Sequence, residues 1–184
     1  MARKDSARPK TAAPAGVAAV VGRLRQIEQV WQLQGDFHRL PVSVQGESRA
    51  EFAIFRTSGE LSDDGTELVA AVELGCRLTA EIEDKAVIPE DFLDKASGRA
   101  VIAFVHGSYM ITYGLNEGGP LSDDDIGEFC AANGVHTAWP FWREFVTNCL
   151  TRSGLEAVPV PPFTIFGPPK QSITRTPPAL KKRN

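Results

Sequence analysis

The 184-residue chain is long enough for one domain with a substantial core, and its 42% hydrophobic content is that of an ordinary globular protein. The net charge of −3 conceals two basic ends on an acidic body: residues 1–25 hold six Lys/Arg against one acid, residues 170–184 five against none, and the remainder nine against 22. Such a body argues against a nucleic-acid-binding core, which needs cations gathered on one face.

Cys76, Cys130 and Cys149 are odd in number, lack CxxC spacing and sit in apolar contexts, so reduced core thiols are expected and a disulfide frame or zinc site is not. The opening MARKDSARPKTAAPAG has no apolar core of signal-peptide length, and no run approaches 18 apolar residues. The expectation is a cytoplasmic protein without membrane insertion.

In chain order, residues 1–15 are Pro/Ala/Lys-rich and read as a disordered arm. Residues 16–28 place Val17, Val20, Val21, Leu24 and Ile27 at helical spacing. In the following stretch Trp31, Leu33 and Phe37 alternate with polar residues until Pro41, which predicts a first strand, and AEFAIF (50–55) predicts a short second one, ended by the SDDG turn at 62–65.

The third strand carries the clearest signal. Leu68, Ala70, Val72, Leu74, Cys76, Leu78, Ala80 and Ile82 are all apolar, whereas Glu67, Glu73, Arg77, Thr79, Glu81 and Glu83 share the other side. One buried and one wet face point to an antiparallel sheet. Residues 99–115 repeat the pattern through Val101, Ala103, Val105, Tyr109, Ile111, Tyr113 and Leu115. Four strands are thus followed by helix.

LSDDDIGEFCAANG (121–134) predicts a short helix, with Ser122 and Asp125 spaced as a capping box and Gly134 as its stop. A longer helix is predicted from about Val135 to Arg152, ended by Gly154. Two apolar lines run down it: Ala138, Phe141, Phe145, Cys149 and, beside them, Trp139, Trp142, Val146, Leu150. One face can cover the sheet; with no further long helix in the chain, self-association is the economical cover for the other. LEAVPVPPFTIF (155–166) is extended because three prolines forbid regular helix, and its apolar Val158, Val160, Phe163, Ile165 and Phe166 suggest a strip lying along the helix and leaving a groove. The basic, Pro-rich residues 167–184 read as a disordered tail.

Signals for catalysis are poor. His38, His106 and His136 lie on separate elements, HGSYM is not a nucleophile elbow, and neither a phosphate loop nor a dinucleotide fingerprint occurs. SDDD at 122–125 lacks the alternating ligands and glycine of a calcium loop, and carboxylates at a helix start are favoured by the dipole. No catalytic residue, metal or cofactor is expected.

The segment TAWPFWREFVTNCLTRSGLEAVPVPPFTI resembles the signature region of the SecB family of tetrameric export chaperones. The matching features are Trp139-Pro140-Phe141, Arg143-Glu144, Thr147, Gly154, and Val160, Pro162 and Ile165 of the strip. The resemblance spans about residues 26–166 and is specific over 138–165. It implies an α+β fold, a four-stranded antiparallel sheet with a short and a long amphipathic helix packed on one face, for a domain over 16–166.

The resemblance further implies an ATP-independent holdase, a homotetramer whose clients are unfolded polypeptides (preproteins) and whose export partner is the motor SecA. The candidates for the client groove are Phe52, Tyr113, Leu115, Trp142, Phe145, Val158, Val160 and Phe163; by family analogy Trp139, Phe141, Val146 and Leu150 pack within the oligomer, and which of the two helix lines faces the client stays open in the sequence. Two departures stand out: the Pro-rich tail has no counterpart of the family's last helix, and KKRN replaces the acidic, often zinc-binding end that docks SecA. Divergent SecB-like chaperones hold the antitoxin of a toxin–antitoxin system, and dedication to one such partner is the alternative reading.

Overall fold

In a computed structural model the described residues are 14–42, 44, 48–82, 88–94, 97–155 and 158–163. Most of the expected arm, all of the expected tail, and Glu83, Ile165 and Phe166 lie outside them. Elements run α1 (Ala15–Val21), β1 (Leu24–Arg39), β2 (Ser48–Leu61), β3 (Glu67–Ala80), a 3-10 turn (Glu90–Phe92), β4 (Leu93–Asp94), β5 (Arg99–Leu115), α2 (Asp123–Phe129), a π turn (Cys130–Gly134) and α3 (Val135–Arg152).

The sheet has five strands and not four: β1-β5-β3-β2 are hydrogen-bonded in that order, and the two-residue β4 pairs with β5 at Ala100 and Arg99. Every pairing is antiparallel. A two-residue strand carries no periodicity of its own; its partner defines it.

The alternation on the central strands is the core. Leu68, Ala70, Val72, Leu74, Cys76, Leu78 and Ala80 of β3 are at most 2% exposed, as are Ala103, Val105, Tyr109, Ile111, Tyr113 and Leu115 of β5. This face lies under α2, the π turn and α3. Gly107 and Gly59 permit the close approach: a Cβ at the first would stand 3.1 Å from Trp142 Cζ3, and at the second 2.5 Å from Cys130 Sγ and 2.7 Å from Ile126 Cγ2.

Three expected boundaries change. The helix expected over 16–28 stops at Val21, because Arg23 fixes a turn there: its guanidinium donates to the carbonyls of Gly65 (2.8 Å), Gly119 (2.9 Å) and Asn116 (3.0 Å), and β1 begins at Leu24 opposite Leu115. β2 extends from Ser48 to Leu61, since its pairing with β3 satisfies backbone groups across the polar RTSGEL half as well. Gly134 does not stop α2; it lies in a π turn that runs directly into α3, with 3.3 Å from its ideal Cβ position to Val72 Cγ2.

The capping box is present: Asp125 N–H donates to Ser122 Oγ (3.2 Å), and Ser122 N–H donates to Asp125 Oδ2 (3.0 Å). The Ser122 hydroxyl also donates to Asp125 Oδ2 (2.7 Å), and this bond, followed by that from Ser122 N–H, holds the Asp125 carboxyl below the usual carboxylate range. α3 keeps its expected bounds and ends where Gly154 takes a left-handed φ of +69°, which a glycine adopts without a Cβ clash.

Candidate functional site

The site grows from the start of α3. Trp139 faces inward and its indole Nε1 donates to the Pro161 carbonyl at 2.7 Å. Pro159, Pro161 and Pro162 have no N–H to satisfy, so the strip can lie against a helix without a ladder partner. It packs there through Val160, 4% exposed. Phe163 stacks on Trp139 at 5.3 Å between ring centroids and reaches His136 at 6.4 Å, while Phe52 of β2 meets Trp139 edge-on at 6.2 Å. Four rings from β2, α3 and the strip therefore form one continuous surface, half-buried at Phe52 and Phe163. Edge-to-face and tilted pairs of this kind suit the ring quadrupoles.

The residues expected to contact clients divide in two. Phe52, Phe145, Val158 and Phe163 are half-buried, whereas Tyr113, Leu115, Trp142 and Val160 are at most 4% exposed and belong to the subunit's own core. Tyr113 Oη donates to Thr137 Oγ1 (2.9 Å), and Trp142 packs against Gly107. Of the four given to the oligomer, Trp139, Val146 and Leu150 are 3%, 0% and 0% exposed inside one chain, and Phe141 alone faces out at 48%. Strip and sheet together supply the second surface that was expected from another copy. The line Phe141, Phe145 and Cys149 is left on the outer side of α3, with Phe145 half-covered by β1 at Gly35.

A second apolar region lies on the sheet face away from the helices. Phe55 sits at a bulge between Ile54 and Arg56, its ring lying over Gly75, where no Cβ fits beneath it. Phe104 is 6.3 Å and His106 5.9 Å from that ring, and His106 Nδ1 lies 3.6 Å from Asp36 Oδ2. A cleft of about 420 Å³ is lined there by Glu51, Phe52, Ala53, Phe55, Gly75, Arg77 and Phe104.

The residue pattern gave no warning that Ile27, Trp31, Leu33, Ile54 and Phe55 would be 45–61% exposed. β1 shifts register between Ile27 and Gln29 and between Gln32 and Gln34. Trp31 therefore pairs with Met110 on the open face, and Phe37 with Val105 on the covered one, although both fall on one alternation in the sequence. A signal was available in Gly75, a residue without a side chain in the middle of a strongly alternating strand.

The chemistry of the site is that of apolar contact. Burial pushes the Cys76 thiol up to about 12, Cys130 to about 11 and the Tyr113 phenol to about 12, so these groups stay protonated and unreactive near neutrality. A polar cleft of about 430 Å³ between the β2–β3 and β5–α2 loops is lined by Asp63, Asp64 and Glu117 among others, and its Arg23 is committed to three carbonyls. Among the described residues no group of three or more His, Cys, Asp or Glu is arranged to hold a metal ion, and no helix is long and apolar enough to cross a membrane.

No protein-family model and no curated protein matches the chain. Among solved structures it is similar to the Mycobacterium tuberculosis Rv1957 SecB-like chaperone, solved in complex with a ChAD peptide from the Rv1956 HigA1 antitoxin. The likeness covers 81% of this chain and 96% of that one, with a TM-score of 0.59 and 14% sequence identity. With its antiparallel sheet, short capped helix and long helix on one face, the chain has the SecB-like chaperone fold.

Proposed function

We propose that the chain is an ATP-independent, non-catalytic holdase of the cytoplasm, binding non-native polypeptide through the ring surface of Phe52, Trp139 and Phe163 and the outer line of α3. The observation that carries this reading is the half-open aromatic cluster beneath the Pro strip, on a fold shared with a chaperone that holds an antitoxin peptide. Covering ~1,000 Å² of apolar surface is worth roughly 25 kcal/mol gross, most of it offset by ordering and association. Such contacts are strong enough to hold a client and weak enough to release it.

Phe52, Phe145, Val158 and Phe163 supply the contact in this reading, while Tyr113, Leu115, Trp142 and Val160 hold those side chains in place. Phe141 is the outward anchor for a second copy in a homotetramer. The experiment is suppression of aggregation of several unrelated unfolded proteins, with Phe52→Ser and Phe163→Ser combined. Unimpaired suppression by the double variant overturns the site. Light scattering that gives a stable mass of 20.0 kDa, the mass of one chain, overturns the oligomer.

The antitoxin peptide on the Rv1957 chaperone favours a second reading, a chaperone dedicated to one such partner. Rescue of a single client among many tested selects it over the general holdase.

A further inference from the structure

We propose that Tyr113 is a positioning residue for client contact: its hydroxyl keeps Thr137 from closing on the Asn133 carbonyl, and so holds the root of α3 at the bend that turns Trp139 into the ring surface. The inference rests on the holdase reading, because it concerns how that surface is kept in place.

Trp139 takes its direction from a short stretch of irregular helix. The π turn at Cys130–Gly134 joins α2 to α3, with Val135 N–H donating to the Cys130 carbonyl five residues back. A turn closed at that spacing changes the phase of every later side chain relative to α2, and helices bend at such turns. Its inner side is fixed against the sheet, since Cys130 and Gly134 are buried and an ideal Cβ on Gly134 would stand 3.3 Å from Val72 Cγ2. The angle of the residues that follow is set by what their side chains bond.

A threonine within a helix has a ready partner in the carbonyl four residues back, and that bond bends the helix slightly. Thr147, later in α3, makes it: Oγ1 donates to the Arg143 carbonyl at 2.8 Å. For Thr137 the corresponding carbonyl is that of Asn133, inside the π turn. There the Tyr113 hydroxyl comes between the two, donating to Thr137 Oγ1 at 2.9 Å and to the Asn133 carbonyl at 3.2 Å. The Tyr113 ring is 1% exposed and meets Phe129 edge-on at 5.0 Å. Its strand, β5, is hydrogen-bonded to β1 on one side and β3 on the other. The hydroxyl is therefore a rigid spacer on the best-held strand of the sheet.

Trp139 stands two residues beyond Thr137. Its indole meets the Pro161 carbonyl at 2.7 Å, the Phe163 ring at 5.3 Å and the Phe52 ring at 6.2 Å. A change of bend at the root of α3 moves the indole against all three at once, while Phe52 stays with the sheet. Removing the phenol oxygen leaves the half-buried Thr137 hydroxyl without its partner, and the Asn133 carbonyl is the acceptor within its reach.

The test uses the full chain, the indole N–H resonances in NMR spectra, and affinity for reduced, carboxamidomethylated lysozyme, a permanently unfolded probe. Tyr113→Phe keeps the ring and removes only the oxygen. The Trp139 indole resonance, held downfield by the Pro161 carbonyl, should move upfield, and affinity should fall at least about fivefold. Adding Thr137→Val to Tyr113→Phe removes the group that closes on Asn133, so the double variant should regain both the resonance and most of the affinity. A role in stability alone predicts the reverse, a double variant worse than the single one. An unmoved Trp139 resonance in Tyr113→Phe overturns the proposal, and so does a double variant as impaired as Tyr113→Phe. Upfield movement with unchanged affinity overturns it as well, because Trp139 would then turn without consequence for the client. Absence of probe binding by the unaltered chain overturns the holdase reading, and the indole resonances still decide whether Tyr113 sets the bend.

Discussion

The two faces of the sheet are both apolar, yet they are built by different means. The covered face is closely packed and mostly regular: β3 and β5 contribute every second residue over most of their length, Tyr109 and Tyr113 among them, and α2 and α3 seal them to within 2% of full burial. The open face is aromatic and irregular. Trp31 and Phe55 remain 50% and 53% exposed, one beside a register shift and one at a bulge, and Glu51 and Arg77 rim the cleft at Phe55. Regular alternation makes a surface that a helix can close. Bulged aromatics over glycine make one that stays open, which is the form of surface patch that marks an interaction site.

The sharpest way to break this distinction is truncation on each face. Trp142→Ala removes a 0%-exposed indole wedged against Gly107 and should cost about 3–5 kcal/mol in urea unfolding. Phe55→Ala removes a ring of comparable size that is half in water and should cost below ~1 kcal/mol. Similar losses would mean that Phe55 is core and that the open face is sealed in solution. Trp142→Phe refines the measurement: Trp142 Nε1 is buried without a hydrogen-bond partner among the described residues, so this change loses volume and no described bond and should fall well short of the alanine variant.

A smaller effect compares one substitution at two glycines. Gly59→Ala drives a methyl toward Cys130, which is 0% exposed, and Ile126, which is 6% exposed; neither can retreat, and about 1–3 kcal/mol is expected. Gly75→Ala meets the Phe55 ring first, and the exposed side of that ring can swing into solvent. Stability should change by less than ~1 kcal/mol, while the ring leaves its seat, which a loss of Phe55–Phe104 contacts in NMR spectra would show.

The covered face was legible because it keeps one period over most of each strand; the exception is the start of β5, where a register shift at Leu78/Thr79 buries Ala100 and Ile102 and leaves Val101, expected inside, half-buried. Residues 99–115, the capping box at Ser122 and the bounds Val135–Arg152 all follow from spacing alone. The open face was not, because a register shift changes the phase of every later side chain and leaves no mark in composition. The site was half legible. Phe52, Phe145, Val158 and Phe163 lie half-buried, but Val146 and Leu150 sit in the core, and Trp139 joins them because an extended strip with the Pro161 carbonyl and Phe163 closes over the start of α3. Surplus apolar surface can be counted in a sequence. Whether a proline-punctuated strip returns to cover it depends on tertiary contacts that no local pattern encodes.

The smallest expected difference between the faces is electrostatic. On the open face Arg77 Nε lies 2.5 Å from Glu51 Oε2, with the side chains 43% and 50% exposed. Each charge keeps much of its water, so a double-mutant cycle with Arg77→Met and Glu51→Gln should give a coupling of only about 0.2–1 kcal/mol. In 1 M salt the screening length falls to about 3 Å and the coupling should shrink further. On the covered face Tyr113→Phe breaks a bond of 2.9 Å to Thr137 and should cost about 0.5–1.5 kcal/mol. That cost should be unchanged by salt, because the bond is neutral and Tyr113 is 1% exposed. A salt-insensitive Arg77–Glu51 coupling would place that pair out of water, and with it the rim of the Phe55 cleft, so the open face would have to be covered by something in solution.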